Sequence, residues 1–164
     1  MLNDARMNIL RMALSRQPKT IWPLIGAVLL RKDIKGYDLR LEMRNWGIEN
    51  AGIATLLEWA KANKPSGPCI LAEVAVPFSD LAYQLLVEYG GAGCIGSGLI
   101  SNFLSGSFSG SEVQWLLSKL EIARKWVGND QPAVRKWAQE LIKNIEVNIK
   151  RAQQQEEENE LYWG

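Results

Sequence analysis

The stretch YGGAGCIGSG, residues 89–98, decides the fold, because its glycines from Gly91 to Gly96 have the spacing of a dinucleotide-binding loop. Such a loop needs a β-strand before it and an acidic residue about 20 positions further along the chain. Here the acidic position is Leu116, and no phosphate-binding lysine of the Walker type follows the glycines. The preceding apolar residues have helical spacing, at Leu81, Ala82, Leu85, Leu86 and Tyr89. We therefore predict a turn between two helices, with Gly90 or Gly91 left-handed at the end of the first.

The first third of the chain also divides into helix-length segments. We predict that Thr20 caps a helix running through Leu30, with Pro23 in its first turn. Gly36 is predicted to separate this helix from the next, which Gly47 ends. The apolar residues of that second helix are Leu39, Met43 and Trp46.

Helix-length segments separated by cap and turn residues continue towards the C-terminus. A short buried helix is predicted over Ile70–Ala75, and Ser109 with Glu112 fits a capping box at the start of a later helix. The last helix is predicted to begin near Pro132 and to fade into a solvated tail at residues 153–158. No segment shows the alternation of a half-buried strand, so the sequence predicts an all-α protein.

The charges are unevenly distributed although the net charge is only +1. Residues 1–64 hold eleven Lys and Arg against six Asp and Glu, whereas residues 65–112 hold none against four. Residues 113–164 carry eight of each. The near-neutral total lacks the basic excess typical of nucleic-acid binders, so nucleic acid is disfavoured as a partner. The charge-poor middle is predicted to be the most enclosed part of the fold.

The residue types needed for catalysis are sparse. The chain has no histidine, which removes the usual general base, the usual metal ligand and every imidazole triad. Its carboxylates form no helical pair suited to acid–base work; Glu42 and Glu49, or Glu140 and Glu146, are examples. We therefore predict no catalytic residue, no metal and no cofactor, and favour a function other than catalysis.

The two cysteines, Cys69 and Cys94, lie 25 residues apart in apolar surroundings. This pattern predicts buried free thiols in a reducing compartment rather than a disulfide framework. No apolar run is long enough to span a membrane, and charged residues interrupt the N-terminal stretch where a signal peptide would stand. We expect a cytoplasmic protein without a membrane partner.

The segment DQPAVRKWAQELI, residues 130–142, resembles the second helix of a HEAT repeat, with its acid, proline, Val-Arg pair and following alanine. In HEAT-like repeats such an arginine, here Arg135, commonly bonds the nearby acid or a loop carbonyl. Steps of 32, 32 and 31 residues connect four apolar positions in predicted helices: Leu39, Leu71, Phe103 and Val134. The fold implied is a short right-handed α-solenoid of about four HEAT-like helical hairpins, in which each pair shields its neighbour.

A second resemblance concerns residues 100–160. The stretch NFLSGSFSGS, residues 102–111, followed by a long helix, the HEAT-like helix and an acidic tail, looks like the C-terminal HEAT-like end of large bacterial NTPase or predicted defence proteins. The resemblance implies a sensing or docking module within a bacterial NTPase or defence assembly. With the missing catalytic groups, we predict a non-catalytic scaffold or docking module made of a single HEAT-like domain over residues 1–152 and a polar acidic tail over residues 153–164.

Four basic positions on the predicted second helices are candidate partner-binding residues: Arg40, Arg44, Lys136 and Lys143. Together they predict a protein partner with an acidic surface. A short solenoid with an uncapped end also permits a homodimer.

Two other functions compete with docking. HEAT-like DNA glycosylases use aromatic, acidic and arginine side chains, and the seven tryptophans and basic first third would suit such a nucleic-acid binder. Trp115 and Trp126, eleven residues apart, are more consistent with packing than with base stacking. A HEAT-like bilin lyase or chaperone would instead place a pigment near Cys69 or Cys94, and would need an accessible thiol.

Overall fold

A computed structural model describes residues 4–44 and 48–163, with side chains from residue 8 to residue 158. Within these residues the chain is all-helical and contains no β-strand. The α-helices are α1 (Asp4–Arg16), α2 (Pro18–Leu29), α3 (Ile34–Met43), α4 (Ile53–Ala62), α5 (Ser66–Val74), α6 (Asp80–Tyr89), α7 (Gly93–Leu104), α8 (Glu112–Arg124) and α9 (Pro132–Trp163), and a 3₁₀ helix covers Ile48–Ala51. The all-α prediction is confirmed, and no described helix is long and apolar enough to cross a membrane.

The chain divides into two compact units, Met1–Ser105 and Gly106–Gly164. The first unit contains α1 to α7, and the second is the hairpin of α8 and α9. The boundary that we predicted at residue 152 falls inside α9, which continues as a helix to Trp163. Of the stretch 153–158, every side chain is exposed except that of Glu156, which is half-buried.

Residues 90–92 of the glycine-rich stretch form a turn between α6 and α7, as predicted, and the glycines from Gly93 onward lie in α7. The prediction of a left-handed glycine is wrong, because Gly90 has a right-handed conformation with φ −60° and ψ −13°. Its amide donates to the carbonyl of Leu86, and that of Ala92 donates to Tyr89. Neither Gly90 nor Gly91 has a positive φ. A Cβ atom at Gly91 would touch nothing within 4 Å, so no close approach requires glycine there.

The cap positions differ from several predictions. Thr20 lies inside α2, which begins with Pro18, and Pro23 stands beyond the first turn. Gly36 lies inside α3 because Asp33 is the N-cap; a Cβ at Gly36 would collide with the Arg31 carbonyl, which explains the glycine. Trp46 and Gly47 lie outside the described residues.

The two neighbouring helices α5 and α7 run parallel. The disulfide joins Cys69 to Cys94, Gly98 packs against Ala72, and Asn102 Nδ2 donates to the Ala75 carbonyl at 2.5 Å. These partners advance together along both helices, so α6 is the return connection between them. Gly98 allows the close packing, since a Cβ there would lie 3.2 Å from the Ala72 carbonyl carbon. The short helix that we predicted over Ile70–Ala75 is thus the second half of a longer α5.

Helices α2 and α4 meet at a tryptophan pair. The fully buried Trp22 contacts Trp59 edge to face, with ring centroids 5.6 Å apart. Gly26, one turn beyond Trp22, lies directly against the Trp59 indole. The first unit therefore packs helices that are two apart in sequence, as α2 with α4 and α5 with α7.

In the second unit α8 and α9 are antiparallel. Ser111 at the start of α8 donates to Glu156 Oε1 at 2.8 Å, whereas Trp126, just beyond α8, packs edge to face on Trp137 near the start of α9. The predicted capping box is wrong: Ser111, not Ser109, is the N-cap and accepts from the Gln114 amide.

The predicted packing roles in this hairpin hold. Arg135 donates to the carbonyls of Asn129 and Asp130, at 2.8 and 2.9 Å, so it fixes the loop before its own helix through the predicted kind of bond, one to a loop carbonyl. Trp115 is half-buried and stacks on Phe108, with ring centroids 5.5 Å apart.

Candidate functional site

A cleft of about 290 Å³ opens between the C-terminal end of α2, helix α3 and one face of α5. We call it the α2–α3–α5 cleft. Its lining combines apolar, cationic and sulfur-bearing side chains: Leu30, Arg31, Lys32, Arg40, Pro65, Ser66, Cys69, Ile70 and Glu73. The residues from α5 recur every three or four positions because they share one face of that helix.

Two of the cationic residues that line the cleft, Arg31 and Lys32, lie in the turn between α2 and α3. Asp33 accepts from the Gly36 amide at 3.1 Å and so caps α3. The same carboxylate receives two nitrogens of the Arg31 guanidinium, with Nε 2.9 Å from Oδ2. The Asp33 cap holds the turn that carries Arg31 and Lys32, and this turn places both residues at the mouth of the cleft.

Arg40 on α3 connects the three sides of the cleft, because it contacts the end of α2, the turn that follows it, and α5. Its Nη1 donates to the carbonyl oxygens of Leu29, at 2.5 Å, and of Arg31, at 3.1 Å. Its Nε lies 3.1 Å from Glu73 Oε2 on α5. A cation at the end of α2 satisfies carbonyls that lack helical partners and interacts favourably with the helix dipole. Arg40 therefore has a structural role, and its side chain remains 17% exposed.

The electrostatic balance of the cleft is positive. Three cationic side chains, Arg31, Lys32 and Arg40, line it together with Glu73, and Asp33 engages Arg31 beside the lining, so three cations face two carboxylates. All three cations come from the basic first third of the sequence, whereas α5 belongs to the segment without Lys or Arg. The chemistry offered is recognition of an anion beside an apolar surface.

The cysteines correct our prediction of buried free thiols. Cys69 and Cys94 form a disulfide, with Cα atoms 5.4 Å apart, and both residues are half-buried rather than enclosed. Parallel packing of α5 and α7 brings them together, which a separation of 25 residues does not reveal. Disulfides persist in oxidising compartments and are usually transient or redox-sensing in the cytosol, so the pair offers no support for the reducing compartment that we inferred.

The four predicted partner-binding residues lie in two places. Arg40 and Arg44 belong to the end of α3, and Arg44 has a buried Nε without a hydrogen-bond partner among the described residues. Lys136 and Lys143 are exposed on α9, two helical turns apart. The structure brings only Arg40 into the cleft, and the binding role of all four stays a prediction.

Sequence reasoning missed most of the cleft. Arg31, Lys32 and Glu73 were not candidates, and Cys69 was one only in the pigment alternative, because their proximity depends on the packing of α3 against α5. One local signal was available: Asp33 before Gly36 fits an N-cap. That signal would have placed the two preceding cations in an ordered turn.

Lowering the pH is expected to loosen the start of α3. The hydrogen bond from Arg31, followed by that from the Gly36 amide, lowers the pKa of Asp33 from 3.8 to about 2. A carboxyl whose pKa is lower in the folded state stabilises the fold above its unfolded pKa, and this contribution is lost as pH falls from 3.8 towards 2. Urea midpoints measured across this window should fall more steeply for the unmodified chain than for Asp33→Asn. Equal slopes would contradict the assignment.

Comparisons with protein-family models, curated proteins and solved structures find no match for this chain. Among the described residues, no group of three or more His, Cys, Asp or Glu is placed to hold a metal ion. The α2–α3–α5 cleft is therefore the structural feature that indicates a function.

Proposed function

We propose that the protein is a HEAT-like docking module that binds an acidic segment of a partner protein in the α2–α3–α5 cleft. The observation that carries this proposal is the excess of cations around an apolar lining, three cationic side chains against the two carboxylates of Asp33 and Glu73. The fit to a bacterial NTPase or defence assembly rests on the sequence resemblance, and the docking role does not depend on it.

Two features support a peptide-like ligand. The cleft offers Leu30, Pro65 and Ile70 as apolar surface beside the charged groups, so a ligand with alternating acidic and apolar side chains would satisfy both. Arg40 is held by Glu73 and by two carbonyls, so its guanidinium needs little reordering on binding. Preorganised charge gives specificity and raises the association rate.

The packing of the first unit supports the repeat interpretation. In a solenoid, equivalent helices of successive hairpins stack side by side, and α5 with α7 and α2 with α4 are neighbours of this kind. The right-handed four-hairpin solenoid remains our proposal for the chain.

The pigment alternative loses its thiol-dependent form in the disulfide-bonded state, because neither Cys69 nor Cys94 then offers a free thiol. The nucleic-acid alternative gains no continuous basic stripe from this cleft, since Asp33 and Glu73 each engage one of its arginines. An acidic peptide segment therefore fits the cleft better than a nucleic acid.

A peptide-binding experiment tests the proposal. Two fluorescent peptides of equal length, one alternating Glu with Leu and the other Gln with Leu, are titrated with the protein and followed by anisotropy. We expect the Glu peptide to bind more tightly and to weaken as salt is added. Lys32→Glu should weaken its binding about tenfold, because a like charge is placed at the mouth of the cleft.

Lys150→Glu is the matched control, since it makes the same charge change at an exposed position on α9 outside the four predicted partner-binding residues. It should leave peptide affinity nearly unchanged. A larger loss in Lys136→Glu than in Lys32→Glu would move docking to the α9 surface that we also predicted. Equal affinity for the two peptides would refute recognition of an acidic segment.

A further inference from the structure

The disulfide is placed where a small molecule can reach it. Cys69 and Cys94 are half-buried, and Cys69 is part of the lining of the α2–α3–α5 cleft. A thiol that enters the cleft therefore meets the Cys69 side of the bond. Solvent access and charged surroundings are what distinguish reactive sulfur from the inert, enclosed cysteines of a protein core.

The two sulfurs differ as leaving groups. Cys94 is the second residue of α7, and the N-cap residue Ala92 provides no side-chain acceptor for the first amides of that helix. A thiolate at Cys94 would supply the missing negative charge at a helix N-terminus, where anions are stabilised. Cys69 lies in the fourth position of α5, with its Sγ 3.4 Å from the Pro65 carbonyl oxygen. That oxygen would accept from a protonated Cys69 thiol.

The charges around the cleft select the attacking thiol. Three cations, Arg31, Lys32 and Arg40, exceed the two carboxylates of Asp33 and Glu73 that engage the arginines, so an anionic thiol is drawn in and a cationic one is repelled. Glutathione has the matching chemistry, because it carries a thiol, two carboxylates and one ammonium group. A cleft of about 290 Å³ is at the lower end of the usual range for small-molecule sites.

We propose that Cys69–Cys94 is a thiol–disulfide exchange site for anionic low-molecular-weight thiols of the glutathione type. The incoming thiolate attacks Cys69 Sγ, the bond to Cys94 Sγ breaks, and Cys94 leaves as a thiolate. A second thiolate then attacks the glutathione sulfur of the mixed disulfide and releases Cys69. Overall, two thiols are oxidised to one disulfide, the protein disulfide is reduced to two thiols, and the two protons are transferred to the protein sulfurs.

This inference does not depend on peptide docking, since it needs only the sulfur pair and the charges beside it. An exchange site of this kind is compatible with an oxidising compartment and with a reducing one. Disulfides that form in the cytosol are usually transient or redox-sensing.

Reduction kinetics of the unmodified protein test the proposal. The disulfide is treated with glutathione or with cysteamine, a cationic thiol, and each rate is divided by the rate of the same thiol with an uncharged small disulfide. We expect the normalised rate to be about tenfold higher for glutathione, and the difference to shrink with added salt. Acid quenching followed by peptide mapping should find the glutathione adduct on Cys69 and a free thiol on Cys94.

Two charge variants make the test specific. Lys32→Glu should lower the normalised glutathione rate and raise that of cysteamine, whereas Lys150→Glu, at an exposed position on α9, should change neither. A disulfide that neither thiol reduces, or equal normalised rates for the two thiols, would overturn the proposal. An adduct found on Cys94 would overturn the assignment of the attacked sulfur. If peptides fail to bind while this selectivity holds, only the docking proposal falls.

Discussion

Replacing Trp22 by alanine is expected to lower the free energy of unfolding by about 4 kcal/mol. The indole is fully buried between α2 and α4 and contacts Trp59 edge to face. Its removal loses both the transfer free energy of a large aromatic side chain and the contacts around the cavity left behind. Urea denaturation followed by far-ultraviolet circular dichroism would measure the loss without relying on tryptophan fluorescence.

Trp22→Phe is the matched control for this cavity. The Trp22 Nε1 group is buried and has no hydrogen-bond partner among the described residues, so phenylalanine removes a polar group that contributes no bond. The phenylalanine variant should therefore lose much less stability than the alanine variant. A loss below about 1 kcal/mol in Trp22→Ala would show that this tryptophan pair does not hold the two helices together.

The second large effect is expected from Gly26→Ala, which should destabilise the protein by about 3 kcal/mol. An added Cβ would lie no more than 2.8 Å from three atoms of the Trp59 indole, and this ring is held in place by Trp22. Alanine normally favours a helix over glycine by about 1 kcal/mol, so the expected sign is opposite to that of intrinsic propensity. Equilibrium urea unfolding would give the difference directly.

Gly93→Ala provides the comparison for Gly26→Ala. Gly93 is also a helical glycine, but a Cβ there would meet nothing within 4 Å. The free energy of unfolding of the Gly93→Ala variant should be unchanged or slightly increased. If Gly26→Ala were equally harmless, α2 and α4 would be packed less closely than the structure shows.

Helix existence could be predicted from the sequence because apolar residues at helical spacing mark the buried faces. The stripe from Leu81 to Leu86 correctly predicted α6, and the glycines after it correctly predicted a turn. Helix boundaries were harder to predict, since a glycine has two uses. Gly36 was interpreted as a break, whereas it serves close packing inside α3.

The candidate site was less predictable than the helices. Of its four charged side chains only Arg40 was singled out, because packing between elements is what brings the adjacent Arg31 and Lys32 close to Glu73. The disulfide was missed for the same reason, as two parallel helices separated by a third bring its cysteines together. The solenoid and the docking function stay predictions.

The parallel pair α5 and α7 has a mechanical consequence. It is tied at three levels, by the disulfide, by Gly98 on Ala72 and by Asn102 on the Ala75 carbonyl. A ratchet of one helix past the other by a single turn, about 5.4 Å, would break all three ties at once. The two helices should therefore open as a single foldon, and their amide hydrogens should exchange together and late.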